Sequence, residues 1–402
     1  MTRWCLTLLS ALGLVVAASQ SAAFTMNGRS STQASFEPDD SGADSFRLAQ
    51  YLRVDARDLR KGGAELVTGY ARLSGDPQDG EGVHARLYHL YLDKPDIGKV
   101  AGIRLGRHYS YTRAGSALLD GLSLDIHPAG PVAMSVAGGR NILFSPTGEE
   151  TKRGDFAGSF QVGLANIPQG SLDLSGFVAY DESELAKELV ALSGSKRLFG
   201  NSEIYGQARL DLISEVWSEL QAGVRTHAIE DLSLSADYFR SIPNFNATSI
   251  YAVFAVDRYQ EIALKAVYEI TPNLTANLSG RNEIYGEDGG ANEGELGFRY
   301  RRSDGFMLYG AGVWRNGEGG RLLGFDLSAD ASVAEKYLLT AGFQHDIYKR
   351  DLMTGEETAS RIWLGGESRI RRDISVSCRL EDGWNANFSH DLRARLALNV
   401  DF

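Results

Sequence analysis

Cysteine is nearly absent. The chain holds two, Cys5 and Cys378. Cys5 falls in an N-terminal apolar stretch without the small-residue context of a lipidation box, so no lipoprotein is expected. Cys378 alone would remain once that stretch is removed, and an intramolecular disulfide is then impossible even in an oxidising compartment. The haem-attachment pattern C-x-x-C-H is missing, which excludes covalent c-type haem. After residue 23 no run approaches the ~18 unbroken apolar residues that a membrane helix needs. Basic charge is in deficit: the formal net charge is −11, and nucleic acid selects a basic surface instead. Proline is scarce, at 9 against 45 glycines.

What is present begins with an export leader. Arg3 supplies the positive start, Trp4 to Ala18 the apolar stretch, and Ser21-Ala22-Ala23 the small residues read by signal peptidase. The cut is expected before Phe24, leaving residues 24–402 as one mature domain. The first mature residues already look strand-like, so no globular plug is expected ahead of them.

The C-terminus carries the clearest pattern. Leu392, Ala394, Leu396, Leu398, Val400 and Phe402 fall on one phase, and Arg393, Arg395, Ala397, Asn399 and Asp401 on the other. A period of two predicts a half-buried strand, and its length matches the ~9–11 residues that cross a bilayer at a tilt. The same alternation recurs at Ile374 to Glu381, Phe325 to Val333, Gln207 to Leu212 and Leu274 to Ser279. A strand that alternates to the last residue and ends on an aromatic resembles the closing strand of Gram-negative outer-membrane barrels. That resemblance implies an assembly signal in Leu396, Leu398, Val400 and Phe402, read by the barrel-assembly machinery.

The expected fold is all-β: a single antiparallel transmembrane barrel of about 20 strands, within roughly 18 to 22, with short periplasmic turns and longer outer loops. His127–Gly130, Asn166–Gly170, Thr271–Asn273 and Ser303–Gly305 read as short turns. Glu37–Ser45, Gly138–Gly154, Gly286–Gly294 and Lys349–Ala359 read as outer loops. The rhythm is disturbed between Val216 and Tyr259, where Ile229–Asp231 reads as a turn and Ser249–Asp257 as a strand or an infolded loop. Asp181–Leu192 reads as an amphipathic helix, because Leu185, Leu189 and Leu192 recur at helical spacing. Such a helix would either decorate an outer loop or fold inward and narrow a pore.

Charges of both signs occupy the polar phase: Arg104, Arg209, Asp211, Asp326, Asp330, Arg379, Glu381, Arg393 and Arg395. On a barrel they would line the lumen, where charged rings set ion selectivity. Their mixed sign predicts neither cation nor anion preference. Leu105–Tyr109 with Leu119–Leu122 resembles a strand–loop–strand element of porin-like proteins. Here Arg107 and Asp120 fall on the apolar phase, where arginine facing mid-bilayer lipid would cost about 2–4 kcal/mol. An ion pair between them is expected.

No catalytic, metal or cofactor site is expected. The histidines are scattered, and the adjacent Ser389-His390-Asp391 would point to opposite faces of a strand. The reading is an outer-membrane, porin-like channel for passive passage of small solutes or ions, in contact with lipid and lipopolysaccharide. Two alternatives stand beside it: a sheath around a multihaem cytochrome in an electron conduit, and an adhesin-like barrel that binds through its loops.

Overall fold

The computed structural model describes residues 25–38, 44–58, 65–76, 82–127, 130–144, 151–243, 258–287, 289–350 and 355–402. The leader at 1–23 and the segment Ser249–Asp257 lie outside them.

Twenty-two strands form one sheet. The first eleven are β1 (Thr25–Pro38), β2 (Asp44–Arg57), β3 (Leu66–Gly75), β4 (His84–Ile97), β5 (Ala101–Tyr111), β6 (Ser116–Ile126), β7 (Val132–Phe144), β8 (Thr151–Ile167), β9 (Gly170–Asp181), β10 (Glu184–Leu198) and β11 (Ser202–Asp211). The rest are β12 (Val216–Ile229), β13 (Leu232–Ser241), β14 (Tyr259–Thr271), β15 (Leu274–Tyr285), β16 (Gly289–Arg301), β17 (Phe306–Gly317), β18 (Gly320–Val333), β19 (Tyr337–Lys349), β20 (Glu357–Arg369), β21 (Ile374–Trp384) and β22 (Asp391–Asp401). Each pairs antiparallel with its sequence neighbour. β22 then pairs with β1, from Arg29 opposite Asp401 to Phe36 opposite Ala394, and closes the barrel. Closure leaves no sheet edge with unpaired backbone groups. The even strand count puts both ends of the described chain at one end of the barrel.

The period-two pattern explains the two faces. Leu396, Leu380, Leu364, Leu327, Leu296 and Leu264 stand on the outward phase, each well exposed. Leucine exposed on so many strands would be costly in water and is favourable in lipid. The opposite phase, facing the lumen, carries most of the ion pairs.

At the seam Phe402 N donates to Gly28 O at 3.0 Å, and Gly28 N donates to Phe402 O at 2.8 Å. The Phe402 ring lies directly over Gly28, where a Cβ would stand 2.3 Å from ring carbon Cζ. On the inner phase beside it Arg29 Nε donates to Asp401 at 2.6 Å.

Twenty-two strands lie within the range of the sequence reading, at its upper bound. Other expectations need correction. Of the expected loop Gly138–Gly154, residues 138–144 and 151–154 are strand, in β7 and β8, while 145–150 lie outside the described residues; Gly286 and Glu287 form a turn, and Gly289–Gly294 begin β16. Glycines there read as loop, yet Gly139 is needed in the sheet: a Cβ on it would sit 2.6 Å from Gly121 Cα. The largest correction concerns Asp181–Leu192, which forms no helix. It is the β9–β10 hairpin, turned by Glu182 and Ser183 at φ of 53° and 66°. Positive φ at both central residues is the geometry of tight hairpin turns. The helical spacing arose because β10 is apolar on both phases: Val190 and Leu192 face out, while Leu189 and Ala191 face in and are buried.

Candidate pore constriction

The reason for that buried inner phase is the β5–β6 hairpin. β5 pairs with β4 only as far as Arg107 opposite Leu90. β6 pairs with β7 only from Leu119 opposite Asn141 onward. Between those points Tyr109 to Leu118 pair only with each other. This tip leaves the wall and folds across the inner face of β8 and β9. Ser110 Oγ lies 2.7 Å from Ser159 Oγ on β8. Ala114 N donates to Ser175 Oγ on β9 at 3.0 Å. Gly115 rests against the Phe177 ring, 2.6 Å from where its Cβ would be. The contact closes over a compact apolar cluster of Ala114, Ala117, Leu119, Ala137, Ala157, Phe177, Ala179, Leu189 and Ala191. An apolar core inside an aqueous lumen has one physical explanation, that something dry covers it.

The tip is held by its own chemistry. Thr112 N donates to Gly115 O at 2.9 Å and Gly115 N to Thr112 Oγ1 at 3.2 Å, closing the turn. At the pivot Gly106 adopts φ 121°. Its Cβ would stand 2.4 Å from Leu90 O, so no larger residue fits the bend. Arg107 donates through Nε and Nη2 to the Asp120 carboxylate at 2.7 and 2.8 Å. Its Nη1 donates to Leu87 O at 3.1 Å, beyond the last β4–β5 register pair. The two charges on the apolar phase are thus a bidentate pair at the root of the infolded hairpin. Beneath it His108 is 1% exposed, with Nδ1 2.9 Å from Gly106 O and Nε2 2.5 Å from Ser123 Oγ.

The charged residues expected on the lumen side share one phase of the sheet. They are not one cluster. Arg104 pairs with Asp93 at 3.2 Å near the hairpin root. Arg209 pairs with Glu219 at 2.7 Å. Asp211 is buried and accepts from Ile213 N at 3.0 Å, capping the β11–β12 turn. Asp326 and Asp330 stand on β18 opposite Gln344 and Thr340. Arg379, Glu381, Arg393 and Arg395 do come together: Arg379 lies opposite Arg395 and Glu381 opposite Arg393. With Ser35 and Glu37 they line a depression of about 270 Å³. Residues missed by sequence reasoning are those where the hairpin meets the wall, above all Ser110 on the tip and Ser159, Ser175 and Phe177 beneath it. The misplaced charges Arg107 and Asp120 were the signal that could have found them.

The triad-like Ser389-His390-Asp391 is split. His390 lies 3.0 Å from Asp382, while Asp391 accepts from Arg393 at 2.7 Å.

No protein-family profile matches the sequence, and no curated protein matches it. Solved structures do. A mutant of the ferric enterobactin receptor PfeA from Pseudomonas aeruginosa superposes with TM-score 0.56 at 11% identity, covering 94% of this chain and 80% of that one. The P pilus usher PapC translocation pore gives 0.52 at 9% identity, covering 94% and 99%. Pseudomonas aeruginosa OccK2 (OpdF) in complex with glucuronate gives 0.49 at 9% identity, covering 94% and 98%. The fold shared with the first two is a large closed antiparallel β-barrel. At these identities the likeness speaks for the fold alone.

Proposed function

We propose that the chain is a porin-like channel of the bacterial outer membrane, narrowed from within by the β5–β6 hairpin. The observation that carries this is the hairpin itself, docked on a dry patch of β7–β10, whereas among the described residues nothing lies over the ionic wall of β14–β22. A barrel of 16–18 strands already leaves an aqueous channel, so a wider one needs an infolded element to restrict it. Small solutes would pass between the hairpin and the charged wall, down their gradient. Arg104, Arg209, Asp211, Asp326, Asp330, Arg379, Glu381, Arg393 and Arg395 would meet them there. The leader at 1–23 would direct export, and Leu396, Leu398, Val400 and Phe402 would present the closing strand to the assembly machinery. Lipid and lipopolysaccharide would surround the apolar belt. No catalytic role is part of this reading.

The cytochrome-sheath alternative needs an unobstructed lumen, and the hairpin weighs against it. Loop-mediated adhesion draws no support from the hairpin. Planar-bilayer recording tests the channel reading. Native protein is expected to give discrete conductance steps. A variant with residues 109–118 replaced by a short turn is expected to give larger ones. Equal steps would remove the hairpin as the constriction, and silence from both folded proteins would remove the channel.

A further inference from the structure

Beside the docked tip the inner wall changes character. Phe177 and Ala179 on β9 are dry. Towards the β8–β9 turn the same phase becomes polar across four strands. One register row reads Asp173, Ser193, Gln207 and Gln221, from β9 to β12. The next reads Ser171, Ser195, Tyr205 and Gly223. Side chains of both rows, with Arg113 of the hairpin tip, line a cavity of about 300 Å³. Its strands belong to the described stretch 151–243, and the tip to 82–127.

One part of the cavity wall is an aromatic platform. The far end of the Tyr205 ring crosses Gly223, where a Cβ would stand 2.5 Å from ring carbon Cζ. The Tyr205 hydroxyl donates to Asp237 on β13. The Arg225 guanidinium carbon lies 5.6 Å from the ring centroid. Anchored in this way and half-exposed, the ring holds a fixed orientation beside the polar rows.

The charges bordering the cavity balance, Arg113 and Arg225 against Asp173 and Glu203. A solute of one sign gains little net attraction from such a set. What the rows supply is donors beside acceptors. Guanidinium groups only donate, carboxylates only accept, and serine hydroxyls and glutamine amides do both. A hydroxyl satisfies either kind of partner, because one oxygen both donates and accepts. A sugar ring carries hydroxyls on its rim and C–H groups on its face, and the negative face of an aromatic ring suits the latter. The volume is at the small end of ligand pockets, which suits a single such ring.

We propose that the slot between the hairpin tip and the β9–β12 wall binds a neutral, polyhydroxylated solute of one sugar ring, stacked on Tyr205. The proposal deepens the channel reading and rests on it for treating the sugar as a passenger. Ser193, Gln207 and Gln221 meet the hydroxyls from the wall, and Arg113 meets them from the tip.

Calorimetric titration of the folded barrel, in a detergent without a sugar headgroup, tests the site independently of conduction. The probes are glucose and galactose, with galacturonate as the charged-sugar arm and alanine as the zwitterion arm. At least one neutral sugar is expected to bind saturably, galacturonate no tighter, and alanine not at all at the same concentration. Tyr205→Ala is expected to weaken sugar binding about tenfold. Tyr205→Phe keeps the platform and should stay within about threefold of native. Arg113→Gln and Gln221→Ala should each weaken binding by about threefold or more. Glu367→Gln, on β20 across the lumen, should leave it unchanged. If Tyr205→Ala does not fold, the Arg113→Gln and Gln221→Ala titrations decide. No neutral-sugar binding by the native barrel, native-like binding in these variants, or galacturonate bound tighter than both neutral sugars overturns the proposal. Conductance without sugar binding would sink the site and leave the channel. Sugar binding without conductance would keep the site and remove the channel.

Discussion

Two stretches of the inner wall solve the same problem differently. From β7 to β10 the lumen phase carries Ala137, Ala157, Phe177, Ala179, Leu189 and Ala191, and it is dry because the β5–β6 tip lies on it. From β14 to β22 the lumen phase carries Glu261, Arg281, Glu283, Glu293, Arg315, Arg361, Arg379 and Glu381, and nothing in the described residues covers it. There the ions satisfy one another: Arg281 meets Glu293 at 2.9 Å, Arg315 meets Glu283 at 3.0 Å, and Arg361 meets Glu381 at 3.4 Å. The covered stretch behaves as a small protein core inside a barrel. The open stretch behaves as a wetted surface. Packing should therefore dominate substitutions in the first and screening those in the second.

The open stretch ends in the seam, the one part of it where packing should govern everything. Phe402 lies over Gly28 and bonds to its backbone in both directions. Deleting Phe402, or replacing it with a charged residue, is expected to abolish most folded barrel, because closure of the whole sheet depends on this pairing. Tyr or Trp should be milder, since either keeps an aromatic ring at the membrane interface. Gly28→Val should approach the deletion, because its Cβ would collide with the ring. Heat-modifiable gel mobility of outer-membrane fractions reads the folded fraction. Native levels in the deletion would show that assembly does not depend on Phe402.

Next in size is a charge placed under the hairpin. Phe177→Asp removes a buried ring, worth about 3–5 kcal/mol when truncated, and puts a carboxylate into the apolar cluster under the hairpin. The tip is expected to release, and single-channel conductance should rise towards that of the truncated hairpin. The matched change on the open stretch is Val313→Asp, also on the lumen phase, opposite Glu295 and Gly324. It should leave the conductance step nearly native. Equal effects at the two positions would erase the distinction between a covered and an open wall.

The open stretch was the legible one. Wherever one face meets lipid and the other water, alternation is strict, and β15, β18, β21 and β22 stand out from sequence. The closing role of β22 could be anticipated for the same reason. The covered stretch resisted, because both faces of β9 and β10 are dry. Its strands lose the period of two, and Leu185, Leu189 and Leu192 imitate a helix. Glycine misled in the same region. Gly138 and Gly139 suggest a loop, whereas Gly139 is there to let β6 and β7 approach at the pivot.

At the pivot the expected effect is moderate. Asp120→Asn leaves Arg107 on the outward phase without its counterion. The Arg107 side chain is 15% exposed, and an arginine on that face costs about 2–4 kcal/mol at mid-depth and less nearer the interface. Folded-barrel stability in urea should fall within that range, with noisier open-channel current as the hairpin root loosens. Replacing both partners with leucine should restore most of the loss, because an apolar pair of similar volume avoids the buried charge altogether. A stable, quiet Asp120→Asn barrel would mean that the pair does not hold the hairpin.

The smallest effect is the same chemical change on the open wall. Glu293→Gln also converts a carboxylate to an amide beside an arginine, here Arg281, whose side chain is 45% exposed. Water solvates the freed guanidinium, and Arg281 keeps a second acidic neighbour, Glu261, at 3.9 Å. Exposed pairs of this kind contribute about 0–1 kcal/mol, so urea stability should stay within about 1 kcal/mol of native. What should change is the field along the lumen. Removing one negative charge from a wall that also carries Glu261, Glu283 and Glu295 should move the reversal potential in a salt gradient towards anion permeation. The shift should shrink as ionic strength rises and the Debye length falls below about 10 Å. A large loss of stability without a change in reversal potential would show that the open wall, too, is held together by packing.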